Sequence, residues 1–261
     1  MKSELKFLFA VWKANLQSGM EYRGAFLTQI VMMMLNNAFY FVFWIIFFER
    51  FKEIRGWQID DMFVLFGVAA SSFGLAAFLF GNAFTLSDII TKGRLDYYLS
   101  MPRSVLLHAL VSRSITSGLG DFTYGFISYA ASGQFTWDGL ARFLLGIILA
   151  GMAFLGFMII VHSLTFWLGN AAALSLMAQN AIISFALYPI SLFDNPAKLV
   201  LFTLIPAAFM GAVPAALVRS FTWGTLGQLA LGAVVFLGLA ICVFYSGLRR
   251  YESGSAIQTE V

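Results

Sequence analysis

The sequence predicts an all-α polytopic membrane protein. Its expected parts are six transmembrane helices, an amino-terminal helix lying in the interface and a re-entrant hairpin before the last span. Of 261 residues, 60% are hydrophobic and only 11% charged, with a mean hydropathy of +0.84. A soluble domain is about one quarter charged. Apolar runs of membrane-crossing length recur along the chain, and no polar stretch is long enough to form a separate soluble domain. Residues 1–261 therefore read as one transmembrane domain.

Residues 2–17 place Leu5, Leu8, Phe9, Trp12 and Leu16 on one helical face, with Lys2, Lys6 and Lys13 off it. This is the pattern of an interfacial helix. A signal peptide is the rival reading, but Lys13 interrupts the apolar run and no small-residue cleavage site follows. Residues 25–48 form the first span, long enough to cross about 30 Å of hydrocarbon. The second, 61–84, carries Gly67, Ala70, Gly74, Ala77 and Gly81 at spacings of 3, 4, 3 and 4. Small residues so spaced admit a second backbone, either within the subunit or at a subunit interface. The third, fourth and fifth spans are 110–131, 143–168 and 173–192. Residues 199–218 are apolar but broken by Pro206, Gly211 and Pro214. Lipid cannot satisfy the backbone groups such breaks release, so this stretch is expected as a hairpin buried against the other spans. Residues 226–245 make the last span.

Between the second and third spans lies the longest polar interruption, 87–104, reading SDIITKGRLDYYLSMPRS. Ser87 is placed to cap a helix, and Asp88 to Lys92 is a favourable i,i+4 pair. Gly93 permits a bend, Leu95 and Leu99 share a face, and Pro102 ends the helix or opens the next. The segment is expected to lie bent at the membrane surface and to dock a partner outside the membrane. Six spans put both termini on one side. The segments on that side hold ten Lys and Arg against six on the other, which predicts cytoplasmic termini and a cytoplasmic docking segment.

The net charge of +3 reads as topology, and no nucleic-acid partner is expected. The single cysteine, Cys242, excludes a disulfide framework. His108 and His162 have no second ligand at metal-binding spacing, so no metal site is expected and His162 is read as a hydrogen-bonded packing residue. Arg113 and Asp121 are eight residues apart, about 12 Å along one helix, and cannot pair along it. Arg113 can snorkel to the surface. Asp121 lies deeper and needs a partner or a watered path. Asn36, Asn37, Gln179 and Asn180 either line such a path or bond between helices. No phosphate loop, His-Glu-x-x-His, Gly-x-Ser-x-Gly or inward carboxylate pair occurs, so no catalytic residue is expected.

The layout resembles the permease subunits of type-2 ABC (ATP-binding cassette) exporters over essentially the whole chain. In the docking segment, Ile90, Gly93, Leu95, Leu99 and Pro102 follow that family's habit. Later, Tyr188-Pro189, Phe193, Ile205-Pro206-Ala207 and Pro214 match its order before the last span. The resemblance implies a multi-pass protein of the bacterial inner membrane with no ATPase site of its own. Two ATPase subunits would carry ATP and Mg, and a second permease subunit, identical or homologous, would share the path. It implies a coupling segment whose contact residues are Asp88, Lys92, Arg94, Asp96, Tyr97, Tyr98 and Arg103, with 199–218 as an outer gate. The implied substrate is hydrophobic or amphipathic: a drug, lipid or glycoconjugate. Two other readings compete, an ion-driven secondary carrier using Asp121 and a scaffold using the small-residue face.

Overall fold

Small residues on one helix decide how the rest pack. The computed structural model describes residues 2–252, nearly all helical. Helix α1 (Lys2–Gly19) is followed by the long α2 (Arg23–Arg50) and α3 (Ile59–Leu79). Gln58 and Asp61 form a capping box that starts α3. On α3, a Cβ at Gly67 would come within 2.9 Å of the Gly125 carbonyl, and one at Gly74 would collide with the Gly118 carbonyl. Gly81, just past the end of α3, receives the backbone of residues 113–115, and Gly67 and Gly74 receive that of a neighbour in the same chain, α7 (Gly118–Ala131). Ala77 belongs to this contact, 3.0 Å from where a Cβ at Gly118 would sit, whereas Ala70 faces a cavity.

Between α3 and α7 the chain is more broken than expected. A 3-10 turn (Gly81–Thr85), α4 (Leu86–Thr91), α5 (Leu95–Leu99) and α6 (Val105–Val111) intervene. Residues 112–117 are not helical, so the expected third span, 110–131, is not one helix. The cause is a mutual exchange of backbone bonds. Gly81 N–H donates to the Arg113 carbonyl at 2.9 Å, and Ile115 N–H donates to the Ala77 carbonyl at 3.0 Å. Each interruption satisfies groups the other releases. Arg113 lies exposed in that break, so the separation from Asp121 along one continuous helix does not apply.

The second half holds α8 (Trp137–Ser163), α9 (Thr165–Leu168), α10 (Ala172–Ala186), α11 (Asn195–Thr203), α12 (Ala207–Met210), α13 (Ala212–Arg219) and α14 (Trp223–Leu248). Thr136, Asp194 and Thr222 cap α8, α11 and α14 through their side-chain oxygens. Among the described residues, α2, α3, α8 with α9, and α14 are long and apolar enough to cross a membrane. Counting α11 with α12 and α13 as one span makes five, although that pair bends by 71°. The fifth expected span is the short α10, 15 residues long. Pro214 is the third residue of α13, where its missing N–H has no intrahelical partner to lose. Pro206 sits buried at the turn into α12.

Cross-chain contacts define two ends. At one, Arg55 donates to the Ser191 carbonyl at 2.5 Å, and Arg219 bonds both Asp61 (2.6 Å) and the Gly56 carbonyl (3.1 Å). Both flanks of 195–219 therefore meet the loop before α3. At the other end, Trp12 donates to the Leu79 carbonyl at 2.9 Å, Arg103 pairs with Glu4 at 3.0 Å, and Ser104 meets Tyr245 at 3.2 Å. The described parts of both termini thus share an end with the docking segment.

Candidate functional site

Five of the expected pathway residues surround one space. A cavity of about 550 Å³ lies between α2, α3, α7 and α10, and Asn36, Asn37, Asp121, Gln179 and Asn180 all line it. The break before α7 puts Asp121 in that helix's first turn, where the helix dipole favours a carboxylate. Asn37 Nδ2 donates to Asp121 Oδ1 at 2.7 Å and to the Met33 carbonyl at 3.0 Å. Asp121 is only 2% exposed, and its Oδ2 has no hydrogen-bond partner among the described residues. Pro189, Pro206 and Pro214 are buried away from this lining; Met210 of α12 reaches it instead.

Sequence reasoning missed the cavity walls. Tyr40, Phe43 and Trp44 of α2, Phe66 and Phe73 of α3, and Tyr188 after α10 supply aromatic surface. Trp44 and Tyr188 meet edge to face, with centroids 5.5 Å apart. Aromatic residues are common in any membrane bundle, so only the Tyr188-Pro189 step carried a signal.

The docking segment is half buried and half presented. Leu95 is fully buried among Leu86, Ile90, Leu106 and Phe244, whereas Leu99 is 45% exposed. The two leucines lie four apart in the same short helix, α5, which follows the bend at Gly93 (φ 69°), and only the first of them reaches the core. Lys92, Arg94, Tyr97, Leu99 and Pro102 are exposed; Asp88, Gly93, Asp96 and Tyr98 are partly covered. No ion pair joins Asp88 to Lys92 among the described residues. Arg103 lies 4.0 Å over the Phe7 ring, so α1 braces the segment from beneath. Tyr251 packs nearby, and burial with the Asp96 carboxylate alongside pushes its phenol up to about 12.

Ser87 does something other than cap. It is the second residue of α4, and its Oγ lies 2.7 Å from His162 Nδ1 and 3.2 Å from Ser175 Oγ. Its backbone N–H also approaches His162 Nδ1 at 3.2 Å. Nδ1 is therefore the acceptor, and the neutral ring carries its proton on Nε2. All three residues are buried. The cluster ties α4 to α8 and α10, and Gln179 of the cavity lies one turn beyond Ser175 on α10. His162 is thus a hydrogen-bonded packing residue, with a partner only the fold could reveal.

The family model described as ABC-2 family transporter protein matches residues 34–255, and the chain belongs to that family. No curated protein and no solved structure matches it. Membership makes this chain a permease subunit of an ABC transporter and implies an ATPase partner.

Proposed function

We propose that this chain is half of an ATP-driven exporter for hydrophobic or amphipathic solutes, set in motion by a separate ATPase docked on 87–104. The observation that carries the reading is a hydrogen-bonded link from the start of that segment to a cavity-lining helix: Ser87 on α4 reaches His162 and Ser175, and Ser175 shares α10 with Gln179 and Asn180. Two ATPase copies hold ATP and Mg, and a second permease, identical or homologous, completes the path. Both termini are cytoplasmic in the plasma membrane. The chain crosses six times, with α6 to α7 and α10 as the interrupted or short crossings. Residues 199–218 enter and leave from the outer side, a reading supported by the contacts of both flanks with residues 55–61.

The test is flux in vesicles holding this chain, with and without its ATPase. Efflux is expected to require both proteins and ATP, and to fall at least tenfold when Lys92→Glu and Arg94→Glu are combined. Solute movement by the purified chain alone would overturn the reading. A secondary carrier is the competing function, favoured by the buried Asp121 on the cavity wall. It requires a pH-driven flux that Asp121→Asn abolishes and that ignores ATP.

A further inference from the structure

Among the described residues, the cavity lining has one acidic side chain, Asp121, and no Lys, Arg or His. An anionic head group would enter it with no counter-charge, which is costly in a secluded site. A neutral solute without a hydrogen-bond donor would leave Asp121 Oδ2 as it stands, buried and without a partner among the described residues. The side-chain amides of Asn36, Gln179 and Asn180 line the same space with neutral acceptors and donors, adding no charge. Its walls include the aromatic rings of Tyr40, Phe43, Trp44 and Tyr188, a side-chain type whose π faces attract cations and whose bodies cover apolar groups. Tyr40 is 62% and Phe43 54% exposed, so the mouth opens sideways on the apolar flank of α2. A volume of about 550 Å³ suits a solute of drug size.

We propose that this cavity binds amphipathic organic cations, with the charged head against Asp121 and the apolar body along the α2 rings. As a substrate assignment this rests on the exporter reading above; as a binding site it stands on the lining alone. Asp121 also holds Asn37, and that structural duty must be separated from charge recognition. Asp121→Asn does so, because an amide oxygen still accepts from Asn37 Nδ2 while the negative charge is gone.

The experiment uses the full chain in nanodiscs of neutral phosphatidylcholine. Equilibrium binding is measured for benzyldimethyldodecylammonium and for neutral benzyl dodecyl ether. The cation is expected to bind saturably, and Asp121→Asn to weaken it about tenfold or more while the ether is unchanged. Tyr40→Leu, at an exposed position that folding tolerates, should weaken the cation several-fold more than the ether. Cation binding that survives Asp121→Asn, equal losses for both probes, or no saturable cation binding overturns the assignment. If ATP fails to drive cation efflux from vesicles containing the ATPase, the exporter reading falls while charge-selective binding stands.

Discussion

Helices α2 and α3 are both long and apolar, yet the most apolar stretch of α3 is 72% buried and that of α2 only 11%. Hydropathy alone does not distinguish them. Side-chain size does. Gly67 and Gly74 let α3 touch the backbone of α7, and Gly81 just beyond it meets residues 113–115, whereas α2 presents Phe39, Tyr40, Phe43 and other large side chains outward. In lipid no hydrophobic force drives two helices together, so close packing and interhelical hydrogen bonds select the neighbours. The cavity lies where the tightly packed helix meets the loosely held one. Its α2 wall is anchored to α7 by the Asn37–Asp121 bond and to α3 by rings such as Phe41 on Phe63, 4.3 Å apart.

The hardest test of that contrast is to substitute one residue on each helix. Gly74→Leu drives a side chain into the α7 backbone and is expected to cost about 3 kcal/mol or more, or to prevent folding. Phe39→Leu on the 75% exposed face of α2 should change stability by less than about 0.5 kcal/mol. Thermal unfolding in nanodiscs compares them, and equal effects would refute the contrast. A middle-sized effect belongs to the link below the cavity. Ser87→Ala strips a hydroxyl from between His162 and Ser175 and should cost about 1–2 kcal/mol. If the link transmits motion, solute exported per ATP hydrolysed should also drop several-fold while Ser87→Thr retains it. An unchanged ratio in Ser87→Ala would make the cluster mere packing.

The same contrast explains what could be read without a structure. Long apolar runs and the spaced glycines of α3 are local patterns, and they located most of the long helices and a close-packed face. Asn36, Asn37, Asp121, Gln179 and Asn180 stood out because polar groups in apolar runs are costly. That they surround one cavity depends on how α2, α7 and α10 come together, which no single run encodes. The break at 112–117 contains neither Gly nor Pro, so nothing local announces it; it exists because Gly81 and Ala77 take up its backbone bonds. Leu95 and Leu99 share the one turn of α5, but which of them meets the core depends on neighbours from other helices. Ser87 looked like a cap because Ser commonly is one, and only the approach of α8 supplied the competing partner.

The smallest effect sharpens the comparison from the docking side, where α1 is another loosely buried apolar helix. Its ion pair, Glu4 with Arg103, is 47% and 27% exposed, so water competes for both charges. Glu4→Gln should therefore cost under about 0.5 kcal/mol and less still in high salt. Trp12 and Asn15 hold the helix differently, through partly buried bonds to the Leu79 and Val111 carbonyls, each at an interruption of the bundle. Trp12→Phe keeps the ring but leaves that Leu79 carbonyl unpaired, and should cost about 1 kcal/mol. Protease access to the linker between α1 and α2 reads out the difference: Trp12→Phe should speed cleavage and Glu4→Gln should not. If Glu4→Gln released α1 as readily, the helix would be held by surface charge, and backbone anchoring at the breaks would not be what fixes it beneath the docking segment.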